Sequence, residues 1–169
     1  MSLTTAFAGL PEPADLSRPF DRLVGELLSH VPEPAVMAYA ITLLDGDDPA
    51  RFPTALRYLG GAHAEILLGN RDFALWPAIW GARAMQYVWT PSHAAEATRL
   101  VVEHLADERW RVAEMCCKVV GKREHLSVIH AALDDPEPDV RRAAARALER
   151  RSARLDLDLD DLMVGRFDH

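Results

Sequence analysis

Leu133-Asp134-Asp135-Pro136-Glu137-Pro138-Asp139-Val140-Arg141-Arg142-Ala143-Ala144-Ala145-Arg146-Ala147-Leu148 is the stretch that decides how the rest of the chain is read. Its apolar positions, Val140, Ala143, Ala144, Ala147 and Leu148, follow the i, i+3, i+4, i+7, i+8 spacing of one helix face. The same mask returns 28 residues earlier as Val112, Met115, Cys116, Val119 and Val120. There Leu105-Ala106-Asp107 stands where Leu133-Asp134-Asp135 stands in the later copy. Two helices with one mask at a fixed offset, each behind an acidic turn, make a repeat.

Looser copies lie upstream. Trp80, Arg83, Ala84, Tyr87 and Val88 fit with Arg83 as the misfit, and Phe52, Ala55, Leu56, Leu59 and Gly60 fit again. Between these copies the pattern predicts companion helices over 34–44, 63–68, 91–105 and 124–133. Asp48-Pro49 and Thr90-Pro91 pair a capping residue with a proline suited to a first helical turn. Pro53 and Pro77 must then also lie in first turns or kink their helices. Gly60-Gly61 marks a helix stop. One further helix is expected from about 15 to 30, behind a loose arm over residues 1–14 that contains Pro11 and Pro13.

The run Asp139-Val140-Arg141-x-x-Ala144-x-x-Ala147-Leu148 resembles the second-helix signature of HEAT repeats and their bacterial relatives. The resemblance covers about residues 35–150 and implies an all-α fold: a right-handed α-solenoid of about four HEAT-like helix pairs. The expected organisation is the arm at 1–14, a repeat domain at 15–151 and an acidic segment at 152–169.

Composition bounds the function. The chain has 169 residues, is 49% hydrophobic and carries a net charge of −7. That balance does not suit a general nucleic-acid binder. The charge is uneven: residues 1–98 balance to −5, residues 99–154 to +2 and residues 155–169 to −4. No apolar run is long enough to cross a membrane. Residues 1–9 lack the basic start of a secretory signal. The only cysteines, Cys116 and Cys117, are sequence neighbours and poor disulfide partners. A cytoplasmic protein is the expectation.

Among the candidate chemical sites, the histidines show neither an i, i+4 pair nor an H-E-x-x-H motif, so no metal and no cofactor are expected. Asp156, Asp158 and Asp160 have calcium-loop spacing, but the glycine and glutamate such a loop needs do not follow. Cys116 sits in the apolar stripe and reads as packing.

Solenoids bind partners along the layer built by their second helices. On that layer the sequence places Trp80, Trp110, Arg111, Arg141, Arg142 and Arg146 as partner-binding residues, with Trp76 and Arg83 also exposed. Tryptophan with arginine is the composition of interaction hot spots. The first expectation is therefore a scaffold module for a protein partner, the alternative for these side chains being packing between repeats and a solvated face. A second resemblance offers an enzyme. Trp110, Glu114 four residues on, and Arg142 are similar to the tryptophan, acid and arginine of the helical-repeat alkylpurine DNA glycosylases. That resemblance implies stacking by Trp110, charge stabilisation by Glu114 and a phosphate contact by Arg142. The family carries aspartate where this chain has glutamate. A Glu114–Lys118 pair is the competing expectation.

The tail Leu155-Asp156-Leu157-Asp158-Leu159-Asp160-Asp161-Leu162-Met163 has two readings. It is either a helix closing the end of the repeat array or an acidic cover for the arginines before it.

Overall fold

Proline and glycine set where the first helices begin and end. Val31, which precedes Pro32, is extended (φ −127°, ψ 134°), as the bulk of a following proline ring demands, and this ends the helix before it. Gly46 ends the next helix in the left-handed region (φ +94°), donating its N–H to Thr42 O. Pro53 opens a helix where its missing N–H costs nothing, and Gly61 (φ +57°) closes that helix.

A computed structural model describes residues 2–69 and 75–123, with single positions at 133, 134, 138, 141, 142 and 145. Every regular element among the described residues is helical. In chain order these are α1 (Leu3–Ala6), α2 (Phe20–His30), α3 (Glu33–Asp45), a 3-10 turn (Pro49–Arg51), α4 (Pro53–Gly60), α5 (Ala62–Gly69), α6 (Leu75–Ala84), α7 (Ala94–Glu103), a second 3-10 turn (His104–Ala106) and α8 (Trp110–Lys122). Two compact units, 1–97 and 98–169, divide the chain within α7.

In the first unit α3 lies along α6, α2 packs on α4, and α4 also meets α5 and α6. The reason is apolar coverage. α3 buries Ala35, Val36, Met37, Tyr39, Ala40, Ile41, Leu43 and Leu44, more than one helix face. A helix apolar nearly all round belongs in an interior. Each of its large side chains removed from water contributes about 1.5–3 kcal/mol. α6 meets it at Gly81, where an added Cβ would stand 2.5 Å from Ala40 O and 3.0 Å from Leu43 Cβ. Only glycine allows that approach.

Residues 2–14 are docked, which corrects the expectation of a loose arm. Ser2 caps α1 by accepting the Thr5 N–H. Phe7 then enters an aromatic cluster, its ring 5.2 Å from both Tyr39 and Phe52. Tyr58 Oη donates to Pro11 O at 3.1 Å, and Glu12 accepts from Thr54 Oγ1 at 2.7 Å and pairs with Arg57. Two prolines fix the path without supplying a stripe, so hydropathy patterning passes over the segment. The following helix also starts later than expected, at Phe20. Asp15 accepts both the N–H and the hydroxyl of Ser17 in a local turn, and Pro19 sits at the N-cap of α2.

The looser masks are partly realised. Ala55, Leu56 and Leu59 are buried on α4. Trp80 and Ala84 are buried on α6, but that helix ends at Ala84. Tyr87 and Val88 therefore lie beyond it, Tyr87 exposed and Val88 buried. Asp48 caps a 3-10 turn through Ala50 N–H, and residues 91–93 form a turn ahead of α7.

In the second unit the stripe predicted for α8 is real: Val112, Cys116, Val119 and Val120 are buried, with Met115 at the edge. Asp107 organises the entry to this helix. One of its carboxylate oxygens accepts the Arg109 N–H and Nε, each at 2.8 Å. The other accepts Arg109 Nη2 at 2.6 Å and pairs with His104 Nδ1 at 2.8 Å. Burial works to raise this carboxyl, but the hydrogen bonds from Arg109 and His104 outweigh it and hold it at about 2. The later copy of the repeat and the acidic tail fall almost wholly outside the described residues.

Candidate functional sites

The residues predicted to bind a partner have different fates. Trp110 opens α8 with 48% of its surface exposed, and the Arg111 guanidinium lies 5.0 Å from its ring centroid. Glu114 and Lys118 follow at four-residue steps, so Trp110, Glu114 and Lys118 share one side of the helix. Lys118 Nζ stands 3.0 Å from Glu114 Oε1. The acid of the glycosylase-like triplet thus has a cationic partner on its own helix. Arg142 is exposed and Arg141 half-buried, while Arg146 lies outside the described residues.

Trp80 is a correction. Expected on the binding layer, it is only 4% exposed. A Cβ added to Gly60 would stand 2.8 Å from its ring, so the indole lies where only a glycine leaves room. Trp80 was placed on the binding layer as a second-helix aromatic, whereas it also fills the apolar mask, and a large aromatic beside a glycine is a packing pair.

Cys116 and Cys117 are buried, and burial pushes the Cys116 thiol well above its ordinary range, which suits packing and not nucleophilic chemistry. No group of three or more potential metal ligands occurs among the described residues. No described helix is long and apolar enough to cross a membrane.

A cleft of 330 Å³ in the first unit was not anticipated. Its walls come from the turn before α2, the α4–α5 junction and α6. Leu23, Leu59, Gly60, Gly61 and Trp80 supply an apolar lining. Trp76 carries the aromatic wall outward: its ring is 6.3 Å from Trp80 at 29°, and His63 stacks on it at 6.2 Å and 23°. Arg83 also lines the cleft, its guanidinium 4.3 Å above the Phe20 ring. Arg18 lines it too and gives one guanidinium nitrogen to Glu26 at 3.3 Å. Trp76 and Arg83 were visible to sequence reasoning as exposed second-helix residues, but Arg18 and His63 were not. No local pattern joins residues about sixty positions apart.

No protein-family model matches the chain, and no curated protein or solved structure is significantly similar to it.

Proposed function

We propose that the chain is a cytoplasmic interaction module that binds a protein partner across a basic-aromatic surface, built on a HEAT-like, solenoid-type stack of helices. Support for the stack comes from the repeated mask and from the alternation in the first unit, where α2 meets α4 and α4 meets α6. One observation carries the binding reading: Trp110 keeps 48% of its surface in solvent on a helix whose other face is buried. An exposed indole flanked by arginine is the composition of an interaction hot spot. Arg111 extends that surface directly, and on the repeat reading Arg141, Arg142 and Arg146 would supply basic residues for its rim. A partner with acidic groups around an apolar spot fits this chemistry.

The enzymatic reading, a base-releasing activity like that of the helical-repeat glycosylases, rests on Trp110 and Glu114 sharing a helix face. The Lys118 pair weighs against it, because it neutralises the carboxylate that such chemistry requires to face a cation.

The test compares capture from a lysate of the source cells by the immobilised chain and by its Trp110→Ala and Arg142→Ala variants, all three matched in melting temperature. A defined protein retained by the parent and lost from both variants is expected. Equal retention by all three overturns the reading. A parallel anisotropy titration with labelled duplex DNA separates the two functions. Salt-sensitive binding abolished by Trp110→Ala would favour the nucleic-acid activity, and absence of binding at low salt would remove it.

A further inference from the structure

The cleft in the first unit holds a positive charge that its own packing leaves unanswered, and it is independent of the Trp110 surface. Trp76 is stacked with both His63 and Trp80, at centroid spacings of 6.2 and 6.3 Å. The aromatic wall is thus occupied by its own rings and shapes the cleft without offering a face to a ligand. What the cleft does offer is hydrogen-bond donors. Its described lining includes Arg18 and Arg83 and no carboxylate. This is unusual for its surroundings, since residues 1–98 carry only six basic side chains against eleven acidic ones.

The two arginines differ in how their charge is met. Arg18 gives one guanidinium nitrogen to Glu26 at 3.3 Å and lies within electrostatic reach of Asp15. Its charge is largely balanced, but most of its five N–H donors stay uncommitted. Arg83 is exposed and makes no hydrogen bond and no carboxylate pair among the described residues. Its guanidinium lies 4.3 Å above the ring of Phe20, which is buried and also packs against Tyr87 at 5.3 Å. Stacking orients a guanidinium through its face and leaves the N–H groups at its edge free. A guanidinium held in place with no acid beside it is prepared for an anion.

Geometry selects the kind of anion. Arg18 comes from the turn before α2 and Arg83 from α6, so the donors reach the cleft from two walls. A carboxylate presents both oxygens at one edge and is satisfied by one arginine fork. A phosphoryl group has three terminal oxygens pointing apart and can engage two arginines at once. A volume of 330 Å³ stands near the lower end of small-molecule sites. It has room for a phosphoryl group with a short organic remainder and not for a folded segment of protein.

We infer that this cleft binds a phosphoryl dianion, as free phosphate or as the monoester of a small molecule, held by Arg83 and Arg18.

Isothermal titration of the full chain with inorganic phosphate, glycerol 3-phosphate, acetate and glycerol tests the assignment. It is run at about pH 8, where phosphate monoesters are dianions, with ionic strength held constant by chloride. Both phosphates are expected to saturate at one site, at least about tenfold more tightly than acetate, and glycerol should not bind. Tighter binding of glycerol 3-phosphate supports a monoester site, and equal or tighter binding of inorganic phosphate supports a site for the free ion. Arg83→Gln should weaken both phosphates about tenfold, and Arg18→Gln about threefold, since Arg18 is already partly balanced. Arg22→Gln, an exposed charge on α2 outside the cleft, should change neither. If Arg83→Gln unfolds, Arg83→Lys, which keeps the charge without the fork, should still bind phosphate more weakly than the parent. No saturation by either phosphate, acetate binding as tightly as phosphate, or equal affinity in the parent and the arginine variants overturns the inference. Partner capture through Trp110 is unaffected by any of these outcomes, so the two readings fail separately.

Discussion

Helices α3 and α8 are both thirteen residues long, yet the two bury themselves in opposite ways. α8 is two-faced: valines and cysteines are inside, while Trp110, Arg111, Glu114 and Lys118 lie on the wetter side. α3 is apolar around most of its circumference and runs along α6, whose surface carries Pro77, Ala78, Gly81 and Ala82 as well as Ile79 and Trp80. The difference teaches where information about packing resides. On α8 a periodic stripe states which side is buried. On α3 and α6 periodicity is nearly uninformative, because most of each circumference is buried, and small residues at particular positions determine the fit.

The contrast breaks most readily at Gly81. Gly81→Ala should cost about 3 kcal/mol, because the new methyl meets the backbone of α3, which cannot rotate away. Urea denaturation would measure it, and a loss below about 1 kcal/mol would mean that α3 and α6 are not so closely apposed. Gly60→Ala should cost less, about 1–2 kcal/mol, since its obstacle is the outer edge of the Trp80 side chain. Chemical denaturation checks that value, and a shift in tryptophan emission should accompany it.

At the entrance to α8 the determinant is electrostatic. Asp107→Asn should cost about 1 kcal/mol at neutral pH, after allowing for partial solvent screening. The Asp107 carboxyl is held at about 2, below the ordinary 3.8, so its contribution is complete above about pH 4. It disappears as pH falls from about 4 towards 2, where the folded carboxylate also takes up its proton. Stability curves of the parent and Asp107→Asn should therefore converge in acid. A constant gap down to pH 2 would show that the carboxylate's charge contributes nothing. The smallest effect belongs to the exposed side of α8. Glu114→Gln should change stability by no more than about 0.5 kcal/mol, since an i, i+4 surface pair is worth little.

Legibility followed the same division. The stripe Val112, Cys116, Val119 and Val120 was readable because a helix with one wet side must alternate its polarity at the helical period. Gly46 and Gly61 end helices with positive φ, and the stop at Gly60-Gly61 was visible because a left-handed residue strongly favours glycine. The extent of α6 was not visible, because its apolar pattern continues through Tyr87 and Val88 after the helix has ended. Phe7 was missed for a different reason. A lone aromatic in a proline-bearing segment has no period, and its partners Tyr39 and Phe52 lie 32 and 45 positions away. Trp110 and Arg111 were legible as a pair, whereas the cleft was not, because Arg18, His63 and Arg83 share no sequence neighbourhood.

The sequence by itself determined that this protein is helical, where several helices start and stop, and which side of α8 is apolar. These are local matters of backbone freedom and periodic hydrophobicity. Only the tertiary structure decided that Trp80 is inside and Trp110 outside, that residues 2–14 are docked, and that two arginines share a cleft with an aromatic ladder. Such outcomes depend on which surfaces meet, and a tryptophan has the same chemistry whether a glycine or water stands beside it.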